Sequence, residues 1–97
     1  MNREQVLSLL NQHREDIQHR FAVKHLALFG SAARDEMHEG SDVDVLVEFE
    51  GPATFDGYMG LKSFLEGLFK VKVDLVTNKG LKPRARPYVE KDLIHVA

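Results

Sequence analysis

The stretch DVDVLVEF, residues 42–49, does most to limit what this chain can become. Valines at 43, 45 and 47 put β-branched residues at every second position, and side chains two apart in a strand project from one face. One face is then apolar and suited to a core, while the other carries Asp42 and Asp44 side by side. Neighbouring carboxylates repel, and in an apolar setting one takes up a proton unless positive charge is supplied. A divalent cation supplies it, because a hard ion such as Mg²⁺ takes oxygen ligands. The plainer alternative is a solvent-facing sheet edge, where aspartates at alternate positions are ordinary.

The rest of the chain supplies partners for such a strand. Val6, Leu9, Leu10, Ile17 and Phe21 form one stripe, which predicts a helix over residues 2–21. HLALFG, residues 25–30, is a short apolar run ending at glycine and predicts a buried strand. Ser31 to Met37 is alanine-rich and charged and predicts a short helix, with His38 to Ser41 as the loop after it. Gly51 and Pro52 end the central strand. Helical spacing returns over 55–69, with Tyr58, Leu61, Leu65 and Leu68 on one face and Gly57, Gly60 and Gly67 weakening the helix.

VKVDLVT, residues 71–77, predicts a third strand with Val71, Val73 and Leu75 on one face and Asp74 on the other. If that strand lies beside 42–49, Asp74 joins Asp42 and Asp44. Three convergent carboxylates are what a two-metal phosphoryl-transfer site needs. The last twenty residues read as a turn, a short helix bounded uncertainly by Pro83 and Pro87, and a final extended segment. The order predicts an α/β fold: a small mixed sheet packed with helices in a single domain over residues 1–97.

Composition narrows the classes. Thirteen Lys and Arg against 15 Asp and Glu give a net charge of −2, which is not the basic footprint of a sequence-independent nucleic-acid binder. There is no cysteine, so disulfides and thiolate metal sites are excluded. The charged N-terminus lacks the apolar stretch of a signal peptide, and no apolar run approaches a membrane span. The expectation is a cytoplasmic protein. Lys79, Lys82, Arg84 and Arg86 form a basic cluster that reads either as a contact for a nucleotide, RNA or acidic partner, or as a solvated turn. The five histidines are scattered, and His38, in the loop between the two motif halves, is the one worth testing.

Gly30 ends a strand and Ser31 opens a helix. Such a junction offers free N–H groups and lets a ligand approach the backbone closely, which suits a phosphate. Ser31 can equally cap the helix. Arg34, one turn along, is placed to add charge at the phosphates, or to be an ordinary solvated residue.

Gly30-Ser31, ten residues, then Asp42-Val43-Asp44 is similar to the signature of the DNA polymerase beta-like nucleotidyltransferase superfamily. Within it, FGSAARDEMHEGSDVDVLVEF resembles the minimal nucleotidyltransferases, the antitoxin partners of HEPN-domain ribonuclease toxins, and the likeness covers nearly the whole chain. It implies the polymerase beta-like fold and transfer of AMP from ATP to a tyrosine hydroxyl of the toxin. Two Mg²⁺ ions would be held by Asp42, Asp44 and Asp74, with Asp74 helping to remove the proton of the attacking hydroxyl. Gly30 and Ser31 would hold the β- and γ-phosphates. No membrane and no direct nucleic-acid binding are implied. A second reading is a binding antitoxin that silences the toxin by steric occlusion without chemistry. Two departures stand out. Relatives often carry glycine after the arginine, where this chain has Asp35, and Pro87 falls where they continue a C-terminal helix.

Overall fold

The computed structural model describes residues 1–97. Its elements run α1 (Arg3–Gln12), α2 (Arg14–Arg20), β1 (Val23–Phe29), α3 (Gly30–Ala33), β2 (Val43–Phe49), α4 (Phe55–Phe69), β3 (Val73–Thr77), α5 (Arg86–Glu90) and β4 (Ile94–His95). The strands form one mixed sheet in the order β3-β2-β1-β4, with β1 antiparallel to both β2 and β4 and β2 parallel to β3. A parallel pair needs a crossover, and α4 provides it. No helix is long and apolar enough to cross a membrane.

The period-two reading of the central strand holds. Val43, Val45 and Val47 are fully buried, whereas Asp44, Leu46 and Glu48 are half-buried on the opposite face. Leu26 and Leu28 of β1 and Val73 and Leu75 of β3 join the valines, and the helices close that face with Val6, Leu10, Ile17, Leu61, Leu65 and Phe69. Each fully buried Leu, Ile, Phe or Val side chain contributes roughly 1.5–3 kcal/mol. Every buried residue is apolar, so the core makes no demand for buried polar partners.

Several segments depart from the sequence expectation, among them β1, which begins at Val23 and ends at Phe29 rather than running from 25 to 30. The first helix is broken: His13, at φ −106° and ψ 8°, ends α1 and begins α2, and its ring lies edge-on against Phe64 at 5.9 Å. The start of α1 is fixed by a capping box, with Asn2 Oδ1 accepting from Gln5 N and Asn2 N donating to Gln5 Oε1, both at 2.9 Å. The helix after Gly30 stops at Ala33 and does not reach Met37, because Asp35 turns left-handed at φ +59°. Glycine takes that conformation most easily. Asp35 occupies it here and uses its carboxylate to accept from Arg3 N at 2.9 Å, tying the turn to the start of α1.

The strands β2 and β3 begin one and two residues later than expected, at Val43 and Val73. The helix expected over 55–69 is α4, Phe55–Phe69, and it runs through all three of its glycines. Gly60 has a packing reason: a Cβ there would meet Phe21 Cε1 at 3.3 Å. Pro87 sits in the first turn of α5, where its missing N–H costs nothing, and the extended segment expected at the C-terminus is β4.

Candidate active site

One end of the sheet collects the motif residues. The antiparallel register sets Phe29, the last residue of β1, opposite Asp44, and the parallel register sets Asp44 opposite Asp74. Both carboxylate-bearing strands are anchored just ahead of these residues. Val43 N donates to Lys72 O at 3.0 Å, and Val73 N donates to the Glu66 carboxylate on α4 at 3.0 Å. Asp42 lies one residue before β2 and is exposed, as is Asp74; Asp44 sits between them, half-buried.

The Asp44 carboxyl is pushed up to about 6. Desolvation is the largest cause, followed by the negative charges of Asp74 and Asp42 and a hydrogen bond toward Asp74, with Arg34 opposing. The three aspartates therefore sense one another, with Asp44 at the centre. They do not form a closed ligand cage: no three His, Cys, Asp or Glu side chains are gathered tightly enough to hold a metal as they stand. The donor chemistry nonetheless fits Mg²⁺. The set is all oxygen and acidic, and its central member lacks compensating charge, which a hard divalent cation brings.

Gly30 is joined to this group directly. Its φ is +69°, and a Cβ built on it would overlap Asp44 Oδ2 and lie 3.0 Å from Asp44 Cγ. The Gly-Ser turn is thus packed against the central carboxylate, and the space a side chain would fill is taken by Asp44. No side chain caps α3, and Ser31, half-buried, uses its carbonyl to accept from Glu36 N at 2.8 Å.

Arg34 does not stand free. Its Nε donates to Glu36 Oε1 at 2.6 Å and its Nη1 to Asp92 Oδ2 at 2.8 Å, and these bonds, Asp92 first, raise its pKa above the ordinary value. It remains close enough to oppose protonation of Asp44. Asp92 follows α5, so this pair fastens the C-terminal segment to the motif loop. Nothing in the sequence pointed to Asp92, 58 residues from its partner, or to Glu66 as the anchor of β3.

The remaining candidates lie elsewhere. His38 is exposed in its loop, where its N–H donates to Ser41 Oγ at 3.0 Å. Lys79, Lys82 and Arg84 are exposed after β3, and Arg86 is held by Asn78 and Glu90.

Known proteins share this fold. Residues 10–96 match the nucleotidyltransferase domain family. The protein adenylyltransferase MntA of Thermococcus cleftensis is 36% identical over 93 residues, covering 96% of this chain and 94% of that protein. A solved structure described as a minimal nucleotidyltransferase is 39% identical, covers 97% of this chain and 95% of its own, and superposes with a TM-score of 0.76. The fold also recurs, at 16% identity and a TM-score of 0.69 over 94% of this chain and 71% of the other, in a complex of a tri-AMPylated Shewanella oneidensis HEPN toxin with its MNT antitoxin. With a family match over most of its length and a relative above 30% identity along nearly all of it, the chain belongs to the nucleotidyltransferase domain family.

Proposed function

We propose that this chain is a Mg²⁺-dependent protein adenylyltransferase of the cytoplasm, which moves AMP from ATP onto a tyrosine hydroxyl of a HEPN-domain toxin and so neutralises it. The observation that carries the reading is the pairing of Asp44 with Asp74 across β2 and β3, with Gly30 packed against Asp44. The MntA relative is named a protein adenylyltransferase, and the fold recurs in a complex holding an AMPylated HEPN toxin.

Asp42, Asp44 and Asp74 are the residues that would hold Mg²⁺, two ions in this reading. When bound, Mg²⁺ offsets the charge of the triphosphate and of the attacking oxygen. The chain's own groups supply the rest. The turn at Gly30 and Ser31 holds the β- and γ-phosphates, and Arg34 adds charge beside them. Asp74, exposed at the near end of β3, accepts the proton of the incoming phenol. The phenolic oxygen bonds to the α-phosphorus as the bond from that phosphorus to the β-phosphate oxygen breaks, and pyrophosphate leaves. Positioning and charge do most of the work.

The test is to incubate the chain with a HEPN-domain partner, ATP and Mg²⁺, and to weigh the partner by mass spectrometry. Gain of AMP units is expected, abolished by EDTA and by Asp42→Asn with Asp44→Asn. If the double variant still silences the partner's ribonuclease with no mass gain, occlusion replaces catalysis as the mechanism.

A further inference from the structure

A cavity of about 230 Å³ lies on the sheet face that carries Asp44 and Asp74. Its floor is Ala27 and Leu46, paired across β1 and β2, and its walls include Leu93 and the polar groups of Glu48, Asn78 and Glu90. It is smaller than the 300–1,000 Å³ usual for a drug-sized ligand, so it suits one heterocyclic base better than a whole nucleotide. Leu46 is two residues from Asp44 along β2 and Glu48 four, which at about 3.3 Å per residue is roughly 7 and 13 Å.

We infer that this cavity takes the base of the donor nucleotide, and that the Glu48 carboxylate reads an exocyclic amine on it. The inference rests on the reaction proposed above. In an in-line displacement the leaving pyrophosphate and the attacking oxygen lie on opposite sides of the α-phosphorus. Gly30 directly follows the end of β1, and Asp44 and Asp74 stand on the next two strands, β2 and β3, with strands spaced about 4.8 Å apart. The displacement axis therefore runs across the strand ends, with pyrophosphate on the β1 side and the acceptor on the β3 side. The nucleoside has to leave at right angles to that axis. Along the strands it meets the cavity at Leu46; off the sheet end it meets solvent.

The polar groups of the cavity are not equally available. Arg86 Nη1 donates to both Asn78 Oδ1 and Glu90 Oε1, at 3.4 Å each. Glu48 stands outside all four ion pairs of the molecule. A free carboxylate beside an apolar floor accepts from an amino group and repels a carbonyl oxygen at the same place. At Glu48 adenine, with its 6-amine, is the base that fits; hypoxanthine, with oxygen there, would have to turn that oxygen toward the imidazoles of His25 and His95, which also line the cavity.

Binding titrations without any acceptor test this, using ATP, ITP and tripolyphosphate in Mg²⁺. Wild type is expected to bind ATP roughly tenfold more tightly than ITP or tripolyphosphate, as for a hydrogen bond to a charged group. Leu46→Trp, which fills the cavity from the open face and leaves the core alone, should weaken ATP at least tenfold and leave tripolyphosphate within twofold. Glu48→Gln should bring ATP and ITP together. If tripolyphosphate binds wild type as tightly as ATP does, or if folded Leu46→Trp keeps its ATP affinity, the base lies elsewhere and the phosphate site at Gly30 still stands. If wild type binds neither, both readings fall.

Discussion

Replacing Asp44 by asparagine should make the metal-free protein more stable at neutral pH. The carboxyl rises from 3.8 to about 6 on folding, a shift of about two units, or about 3 kcal/mol at 1.36 kcal/mol per unit. Asp44 is only half-buried, so solvent screening reduces this to roughly 1–2 kcal/mol. The sign follows from the direction of the shift. A group whose pKa is raised by folding favours the fold most when protonated, below about 4. That contribution is lost as pH rises through about 6. At pH 7.5 the ionised carboxylate is a cost, and asparagine removes it while keeping shape and volume.

For a domain of this size 1 kcal/mol moves Tm by about 4–8 °C, so Asp44→Asn should melt higher than wild type by roughly that much or somewhat more at pH 7.5. The gain should shrink through pH 6 and 5 and be gone near pH 4. Thermal melts followed by circular dichroism in EDTA measure it, and the difference between the two proteins cancels groups they share. Adding Mg²⁺ should then raise the wild-type Tm more than that of the variant. A variant equally stable or less stable at pH 7.5, with no dependence of the difference on pH, would refute the electrostatic account of this site.

Two further changes probe the frame around Asp44. Gly30→Ala sets a Cβ into the Asp44 carboxylate at φ +69° and should cost roughly 2–3 kcal/mol in urea denaturation, whereas Gly51→Ala, in open space, should move the midpoint little. Tyr58→Phe removes the hydroxyl that donates to Leu75 O beside Asp74; a loss of about 1 kcal/mol in the same assay is expected, with the core otherwise intact.

Much of this site was legible because a strand has only two faces. Val43, Val45 and Val47 could enter the core only by sending Asp44 the other way, and Val73 and Leu75 did the same for Asp74. Strand order was not legible. Spacing alone left the third strand's neighbour open, and the meeting of Asp74 with Asp44 depended on it; the α4 crossover and the parallel register supply the answer. Backbone signals were read only in part. Gly30 was understood as room for a ligand, but the atom it first makes room for belongs to Asp44. Asp35 carried no turn signal of its own, and its left-handed backbone is why the helix after Gly30 stops at Ala33. The pairing of Arg34 with Asp92 had no local signature, since it joins a turn to a segment that only the finished sheet brings near.

These couplings explain why the two halves of the motif must keep their spacing. A side chain at Gly30 would displace Asp44, and a displaced Asp44 would lose its register partner Asp74. The ten residues between Ser31 and Asp42 have to return the chain antiparallel to β1 so that Phe29 meets Asp44. They do so through one left-handed turn at Asp35 and another at Gly40, at φ +87°. Inserting or removing one residue between Asp42 and Val43 would shift every later position to the other face of β2, turning Asp44 and Glu48 toward the core and the three valines away from it. Stability and chemistry therefore pull against each other at Asp44. The fold leaves its charge poorly compensated, and that same deficit is what would draw a cation to the end of the sheet in the proposed reaction.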